Sequence, residues 1–306
     1  MIISGGEALI DMVPDPVPGG GPLNVAIAAA RLGAPSAFLG GLSTDAYGDL
    51  LYRHLVDNGV DVSWCTRHDA PTALAIVEHD PVMRFRFEGD GTADTLFDQV
   101  PDLGEAVRNI LHGGTLGMFR GATADTLAGL AASHRAAGGI VSLDSNVRPQ
   151  IIDDRARWDH YHDRWLPHVD LYKGSDEDFD WIWPGRSAES CADELLASGT
   201  MSAVIVTRGG DGLAVITRAG TAEATAPDID VVDTVGAGDT IVGAVLTQIH
   251  EIGVAPWQRG DLPANWHLDQ VDLDTWGTIA QNAVDAAAIT CGRAGADVPF
   301  RRELTW

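Results

Sequence analysis

The segment Val231-Val232-Asp233-Thr234-Val235-Gly236-Ala237-Gly238-Asp239-Thr240 leads from a β-branched run, through a glycine-rich turn, into an Ala-rich stretch that predicts a helix. Glycines in such a turn leave backbone N–H groups uncovered at the helix N-terminus. Together with the helix dipole these groups make an anion site. Asp239 falls in the first helical turn, beside the anion. A bound phosphate would repel it, so its presence needs a reason other than anion binding. One reason is proton abstraction from an attacking hydroxyl. The other is helix capping, for which Asp is favoured. Lys173 is the only lysine, and there is no G-x-x-x-x-G-K-[ST] loop. A nucleotide would therefore depend on backbone N–H groups and a metal rather than on a P-loop lysine.

The elements that must position these groups alternate between β-branched runs and Ala-rich stretches. Gly139–Asp144, His168–Tyr172 and Ala203–Thr207 read as strands. Ala122–Ala136, with Thr123 or Asp125 as N-cap, and Ala188–Ser198 read as the helices between them. This is the pattern of βαβ units around a parallel sheet. Further helices are expected at Leu23–Leu32, Ala237–Ile252 and Thr278–Cys291, with Val231–Asp233 as a strand and Gly253–Trp276 as an irregular connection. Thr72–Glu78 and Val82–Glu88, joined by His79-Asp80-Pro81, predict paired strands that project with Ala8–Val13 as a small second sheet.

Composition narrows the partners. With 44 acidic and 20 basic residues the formal charge is −24. A nucleic-acid backbone and an anionic membrane surface would both repel such a chain. Hydrophobic content of 45% over 306 residues fits a globular protein, read as a single domain over residues 1–306. No apolar run is long enough to span a bilayer, and the first residues lack a basic n-region and cleavage site. Cys65, Cys191 and Cys291 lack metal-ligand spacing, which suits reduced thiols filling a core in a cytoplasmic protein.

Asp233-Thr234-Val235-Gly236-Ala237-Gly238-Asp239 resembles the C-terminal signature of the ribokinase-like (PfkB) carbohydrate kinases. Other elements of that family follow in order. Gly19-Gly20-Gly21-Pro22-Leu23-Asn24 resembles its N-terminal signature, and Asp144-Ser145-Asn146-Val147-Arg148 its Asp-Pro-Asn-x-Arg element. Thr207-Arg208-Gly209-Gly210-Asp211-Gly212 is similar to its nucleotide loop and Cys291-Gly292-Arg293-Ala294-Gly295-Ala296 to its terminal loop, while Phe87–Asp94 looks most like the fructokinase branch.

The resemblance implies an α/β fold: a ribokinase-like three-layer sandwich with a mostly parallel central sheet, and a lid with strands from about 8–18 and 71–92. It implies an ATP-dependent sugar kinase with D-fructose as the expected acceptor. Asp239 would be the general base, and the N–H groups of Gly236, Ala237 and Gly238 the anion hole for the γ-phosphoryl. Asp11, Gly19, Gly20 and Asn24 would hold the sugar. Thr207, Gly209, Gly212, Gly238, Ser175 and Asn282 would hold the nucleotide, and Arg148 would reach its phosphates. Mg²⁺ is implied, with Asp178 contacting it through water, and K⁺ beside the anion hole near Asp233. The family pattern Asn-x-x-Glu reads here Ser175-Asp176-Glu177-Asp178. Taken alone, Asp11 reads as a turn residue, Asn24 as a helix-start residue, Arg148 as a surface arginine and Lys173 as solvent-exposed or locally ion-paired. Either a monomer or a homodimer fits. The alternatives are a 2-keto-3-deoxygluconate kinase, another sugar or nucleoside kinase of the family, a sugar or nucleotide sensor without turnover, and a dinucleotide-binding oxidoreductase. The oxidoreductase would need a G-x-G-x-x-G turn after the first strand, where Glu7-Ala8-Leu9-Ile10-Asp11 stands instead.

Overall fold

The computed structural model describes residues 1–13, 15–79, 83–99, 109–263 and 265–306, with the backbone alone at 77–79 and 83–85. β1 (Ile2–Gly5) leads to β2 (Leu9–Val13), β3 (Asp15–Gly19), α1 (Gly21–Arg31), β4 (Ser36–Ser43), α2 (Ala46–Asp57) and β5 (Asp61–His68). β6 (Ala73–His79) and β7 (Met83–Glu88) follow. Then come β8 (Ile110–Gly114), α3 (Gly121–Ala136), β9 (Ile140–Asp144), α4 (Arg155–Trp165), β10 (Leu171–Ser175), α5 (Asp176–Ile182), α6 (Ala188–Ala197) and β11 (Ala203–Thr207). β12 (Leu213–Thr217) and β13 (Gly220–Ala224) precede α7 (Ala237–Ile249), α8 (Ala255–Gln258) and α9 (Leu273–Cys291).

Among the described residues, nine strands form one sheet in the order β13-β12-β11-β10-β9-β8-β1-β4-β5. It is parallel from β11 to β5 and antiparallel at the β11-β12-β13 edge. Strand alternation divides the core. Ile2, Ile110, Ile140 and Ile205 pack with α1, α7 and α9 on one face. Ile3, Leu111, Val141 and Val204 pack with α3, α4 and α6 on the other. Both faces are covered, so the central strands are near-continuous apolar runs. From β1 the chain moves one way to β4 and β5, then returns to the other side of β1 at β8. Loops at the carboxyl ends of parallel strands beside such a reversal open into a crevice.

A second sheet, β3-β2-β6-β7, projects from this layer. β2 pairs antiparallel with β3 and parallel with β6, and β6 pairs antiparallel with β7. The expected turn at Asp80 and Pro81, with Val82, lies outside the described residues.

Local expectations are corrected in several places. Val231–Asp233 is not a strand: Val231 and Val232 are 61% and 63% exposed, and the Val232 and Asp233 N–H groups donate to Cys291 O at the end of α9. Neither Thr123 nor Asp125 caps α3, whose N-cap is Arg120. Thr123 instead bridges Phe97 N–H and Asp94 O, and Asp125 pairs with Arg164. α7 stops at Ile249 and passes into one π-helical turn, His250–Val254. α9 starts at Leu273 because the Asp272 carboxylate accepts from Thr275 N–H as its cap. β10 starts at Leu171, since Leu166–His168 forms a 3₁₀ turn around Pro167. Cys291 lines a cavity rather than filling the core, whereas Cys191 is buried.

Candidate active site

The glycine turn at 234–238 does what its residue types require. Gly236 takes the left-handed conformation at φ 77° as N-cap of α7, with no side chain covering the helix end. Ala237 N–H turns back to Thr234 O at 3.2 Å, so among the described residues the Gly238 N–H is the less committed of the two. Asp239, in the first turn, is buried. Its Oδ2 accepts from Asn24 Nδ2 at 2.7 Å, which joins α7 to the first turn of α1. Burial pushes the Asp239 carboxyl above its ordinary value, against the pull of the Asn24 bond and of the Lys173 and Arg148 charges. Those are the properties of a proton acceptor poised nearer neutrality. The side chain makes no bond to its own helix terminus among the described residues, so the capping role is not the one it fills.

Asp11 reaches the same point from the lid. It lies in β2 rather than in a turn, and burial followed by the Asp239 charge pushes its carboxyl up to about 6, with Arg148 opposing. Gly19 pairs with Leu9 across β2 and β3, and a Cβ on Gly19 would stand 2.2 Å from Asp11 Oδ2, so this position must stay bare. A Cβ on Gly21 would lie 2.6 Å from Thr115 Oγ1 and 3.4 Å from Asp239 Oδ1. Thr115 and Asn146, both at positive φ without being glycine, are joined by a 3.3 Å bond. Gly21, Asn24, Asp11, Thr115, Asn146 and Asp239 therefore form one polar cluster beside the lid strands.

Lys173 is not in solvent. It is 5% exposed, and its Nζ lies 3.0 Å from Asp144 Oδ2. A Cβ on Gly238 would stand 3.2 Å from that Nζ, so the ammonium sits beside the start of α7. Burial opposes the charge, but Asp144 and Asp178 outweigh it and raise the Lys173 pKa. Burial likewise pushes Asp144 up to about 6, with Lys173 pulling it back.

On the far side of α7 is a cavity of about 800 Å³, within the range of small-molecule sites. Arg148, Lys173 and Gly238 line it, as do Ser175, Thr207, Gly209 and Gly212. Gly212 must be glycine, because at φ 93° a Cβ would fall 2.0 Å from Ala224 O. Its apolar lining includes Ile229, Val284, Ala287 and Ala288. Asn282 is not part of this lining; its amide bonds Gln248 at 2.7 Å on the other side of α9.

Ser175 and Asp178 form a reciprocal capping box on α5. Asp178 also accepts from Val147 N–H at 2.7 Å, which positions the loop bearing Arg148. Asp178 and the exposed Glu177 both line the cavity. Among the described residues no cluster of three or more His, Cys, Asp or Glu could hold a metal. This donor set suits an ion held mainly by phosphates and water with one or two carboxylates, as Mg²⁺ is. Asp233 ties two loops together: its Oδ1 accepts from Val235 N–H and its Oδ2 from Gly295 N–H.

The polar cluster around Asp239 thus stands next to the large cavity, which Gly238 and Asn146 line. Residues 15–301 match the pfkB family carbohydrate kinases. The chain belongs to that family. It is 33% identical over 262 residues to a fructokinase of Rhizobium leguminosarum bv. trifolii, covering 81% of this chain and 79% of that one. Its fold matches a solved structure of fructokinase with bound ATP from Xylella fastidiosa at a TM-score of 0.84 and 28% identity, covering 99% and 96% of the two chains. A fructokinase of Vibrio cholerae O395 in fructose-, ADP- and calcium-bound form gives a TM-score of 0.81 at 25% identity, with 96% and 94% covered. This pfkB kinase is a phosphotransferase acting on a sugar hydroxyl, and the oxidoreductase alternative falls. Among the described residues no helix is long and apolar enough to cross a membrane.

Sequence reasoning missed Glu7, Asp144, Thr115 and Asn146 as parts of the pocket and its support. Glu7 and Asp144 follow or end strands at the carboxyl edge of the sheet, a position that could have flagged them. The positive φ of Thr115 and Asn146 left no mark in the sequence.

Proposed function

We propose that this pfkB kinase phosphorylates D-fructose from Mg-ATP, with Asp239 as general base. The observation that supports this reading is the Asn24–Asp239 bond, which holds a buried carboxylate of raised pKa one residue from Gly238 of the large cavity. Asp11, Asn24, Gly19 and Gly20 bind the sugar, its hydroxyl donors matched by carboxylate and amide acceptors. Asp239 takes the proton of the attacking hydroxyl. The N–H groups of Gly236–Gly238, with Lys173 and Arg148, face the charge that spreads over the transferring phosphoryl. The nucleotide lies along Thr207, Gly209, Gly212 and Ser175, with its base toward the apolar lining. Bound Mg²⁺ would supply neutralisation of the phosphates, and the cavity-lining carboxylates of Asp178 and Glu177 would contact it through water.

A neutral sugar is favoured by the two facing carboxylates, Asp11 and Asp239, which would repel an anionic acceptor. It is favoured also by the lid. Strand register puts Phe87 on the Asp11 face, through Ala75, and Arg86 on the opposite face, where it is exposed and paired with Glu88. The side chains of Met83, Arg84 and Phe85 lie outside the described residues. Incubation of the protein with Mg-ATP and a panel of neutral sugars, nucleosides and sugar acids, following ADP release, tests the reading. Sugar-dependent ADP release greatest with D-fructose supports it, and no ADP release with any acceptor would leave a sensor.

K⁺ is expected to raise turnover over tetramethylammonium at matched ionic strength. Asp233 brings its carboxylate and the 292–296 loop together beside the anion hole, a place where negative charge gathers. Equal initial rates in the two salts would remove the cation from the scheme.

A further inference from the structure

Glu7 is completely buried in the turn between β1 and β2, and among the described residues no Lys, Arg or His is ion-paired with it. Its Oε1 accepts from Gly21 N–H at 3.2 Å and its Oε2 from Gly117 N–H at 2.8 Å. Both partners matter. α1 has no side-chain cap at Gly20, no acidic residue in its first turn and a proline at the start, so the helix lacks the usual local acceptors for its free N–H groups. Glu7 supplies one from fourteen residues upstream. Three residues into the same helix, Asn24 holds Asp239. Gly117 closes the turn after β8, where Thr115 sits at φ 51° and bonds Asn146.

Two neighbouring glycines are fitted to this carboxylate's backbone. A Cβ on Gly20 would lie 2.7 Å from Glu7 O, and one on Gly117 would lie 2.6 Å from Gly6 Cα and 3.1 Å from Glu7 N. The segments are therefore packed backbone to backbone around Glu7. Burial pushes its carboxyl up to about 8, against the pull of the backbone bonds. A buried acid of this kind costs stability, so a role in structure alone would be served better by a neutral side chain.

We propose that Glu7 is a positioning residue for the acceptor site: by bridging Gly21 and Gly117 it fixes the spacing between the Asn24–Asp239 side of the pocket and the Thr115–Asn146 side. The inference rests on the reading of that pocket as the sugar site. Glu7 bonds neither Asp239 nor Asn24, and of the residues it spaces only Asn146 also lines the large cavity, so its influence falls mainly on the acceptor rather than on the nucleotide.

The test is Glu7→Gln, which keeps the size of the side chain but turns an amide NH₂ toward one of the two N–H donors. Losing one of the two backbone hydrogen bonds should raise KM for D-fructose by roughly 2- to 10-fold. KM for ATP should stay within about twofold. Glu7→Asp keeps the carboxyl group but is one methylene too short to span both donors, and it should show the same acceptor-only rise. Unchanged KM values with only a lower melting temperature, equal rises for sugar and ATP, or failure of both variants to fold would each overturn the inference and assign Glu7 to stability. Wild-type protein that turns over no sugar would instead overturn the reading of the pocket, so the two failures are distinguishable.

Discussion

Replacing Asp239 by Asn is expected to lower kcat by roughly 10²–10⁴-fold while sugar and ATP still bind. The substitution keeps the size of the side chain and an oxygen for the Asn24 amide, so the α1–α7 junction should hold. What it removes is the acceptor for the hydroxyl proton. Stability should move the other way. The folded pKa of Asp239 is raised by burial, so it contributes stability below its unfolded pKa that is lost as pH rises through the folded value. At neutral pH the Asn variant should therefore melt no lower than the wild type. Near-normal kcat in D239N would return Asp239 to a structural role, whatever the melting temperature.

Lys173→Met should produce the largest loss of stability among single changes at the site. The ammonium and the Asp144 carboxylate are both nearly fully buried, at 6% and 3% side-chain exposure. Removing one partner of such a pair leaves an uncompensated charge and costs about 3–5 kcal/mol. Asp144 has an escape, since burial already holds its pKa near 6 and losing Lys173 raises it further. A folded pKa above the unfolded one gives stability that is present in acid and lost as pH rises through the folded value. The deficit of the Met variant should therefore be small below pH 4 and grow through pH 6 to 8. Denaturant unfolding of both proteins at pH 4.5 and pH 8 measures this. A deficit that is the same at both pH values would contradict the buried pair as its source.

How far these residues were legible in advance depended on whether their roles were local. The helix start at Ala237 and the pairing of the lid strands followed from glycine placement and alternation, which act over a few residues. Strand alternation places Arg86 and Phe87 on opposite faces. Val231 and Val232 looked like a strand because β-branched residues usually fill one, yet the backbone donors of Val232 and Asp233 go to the end of α9, nearly sixty residues away. Lys173 was ambiguous for the same reason: the Asp144 that neutralises it lies on the neighbouring strand and is joined to it only by the β9–β10 pairing. Glu7 and Gly117 are 110 residues apart, and no spacing rule connects them. Asn282 shows the reverse error. Its helix was correctly placed, but the helical period turns it toward Gln248 while Val284, Ala287 and Ala288 face the cavity.

The ratio of kcat/KM for D-fructose to that for 2-keto-3-deoxygluconate, measured with Mg-ATP on the same preparation, tests the proposed substrate most directly. Facing carboxylates at Asp11 and Asp239, with Arg86 turned away, predict a ratio of about 10 or more in favour of fructose, since like-charge contact costs several kcal/mol. A ratio below one would contradict the neutral-sugar site and make the sugar acid the better substrate.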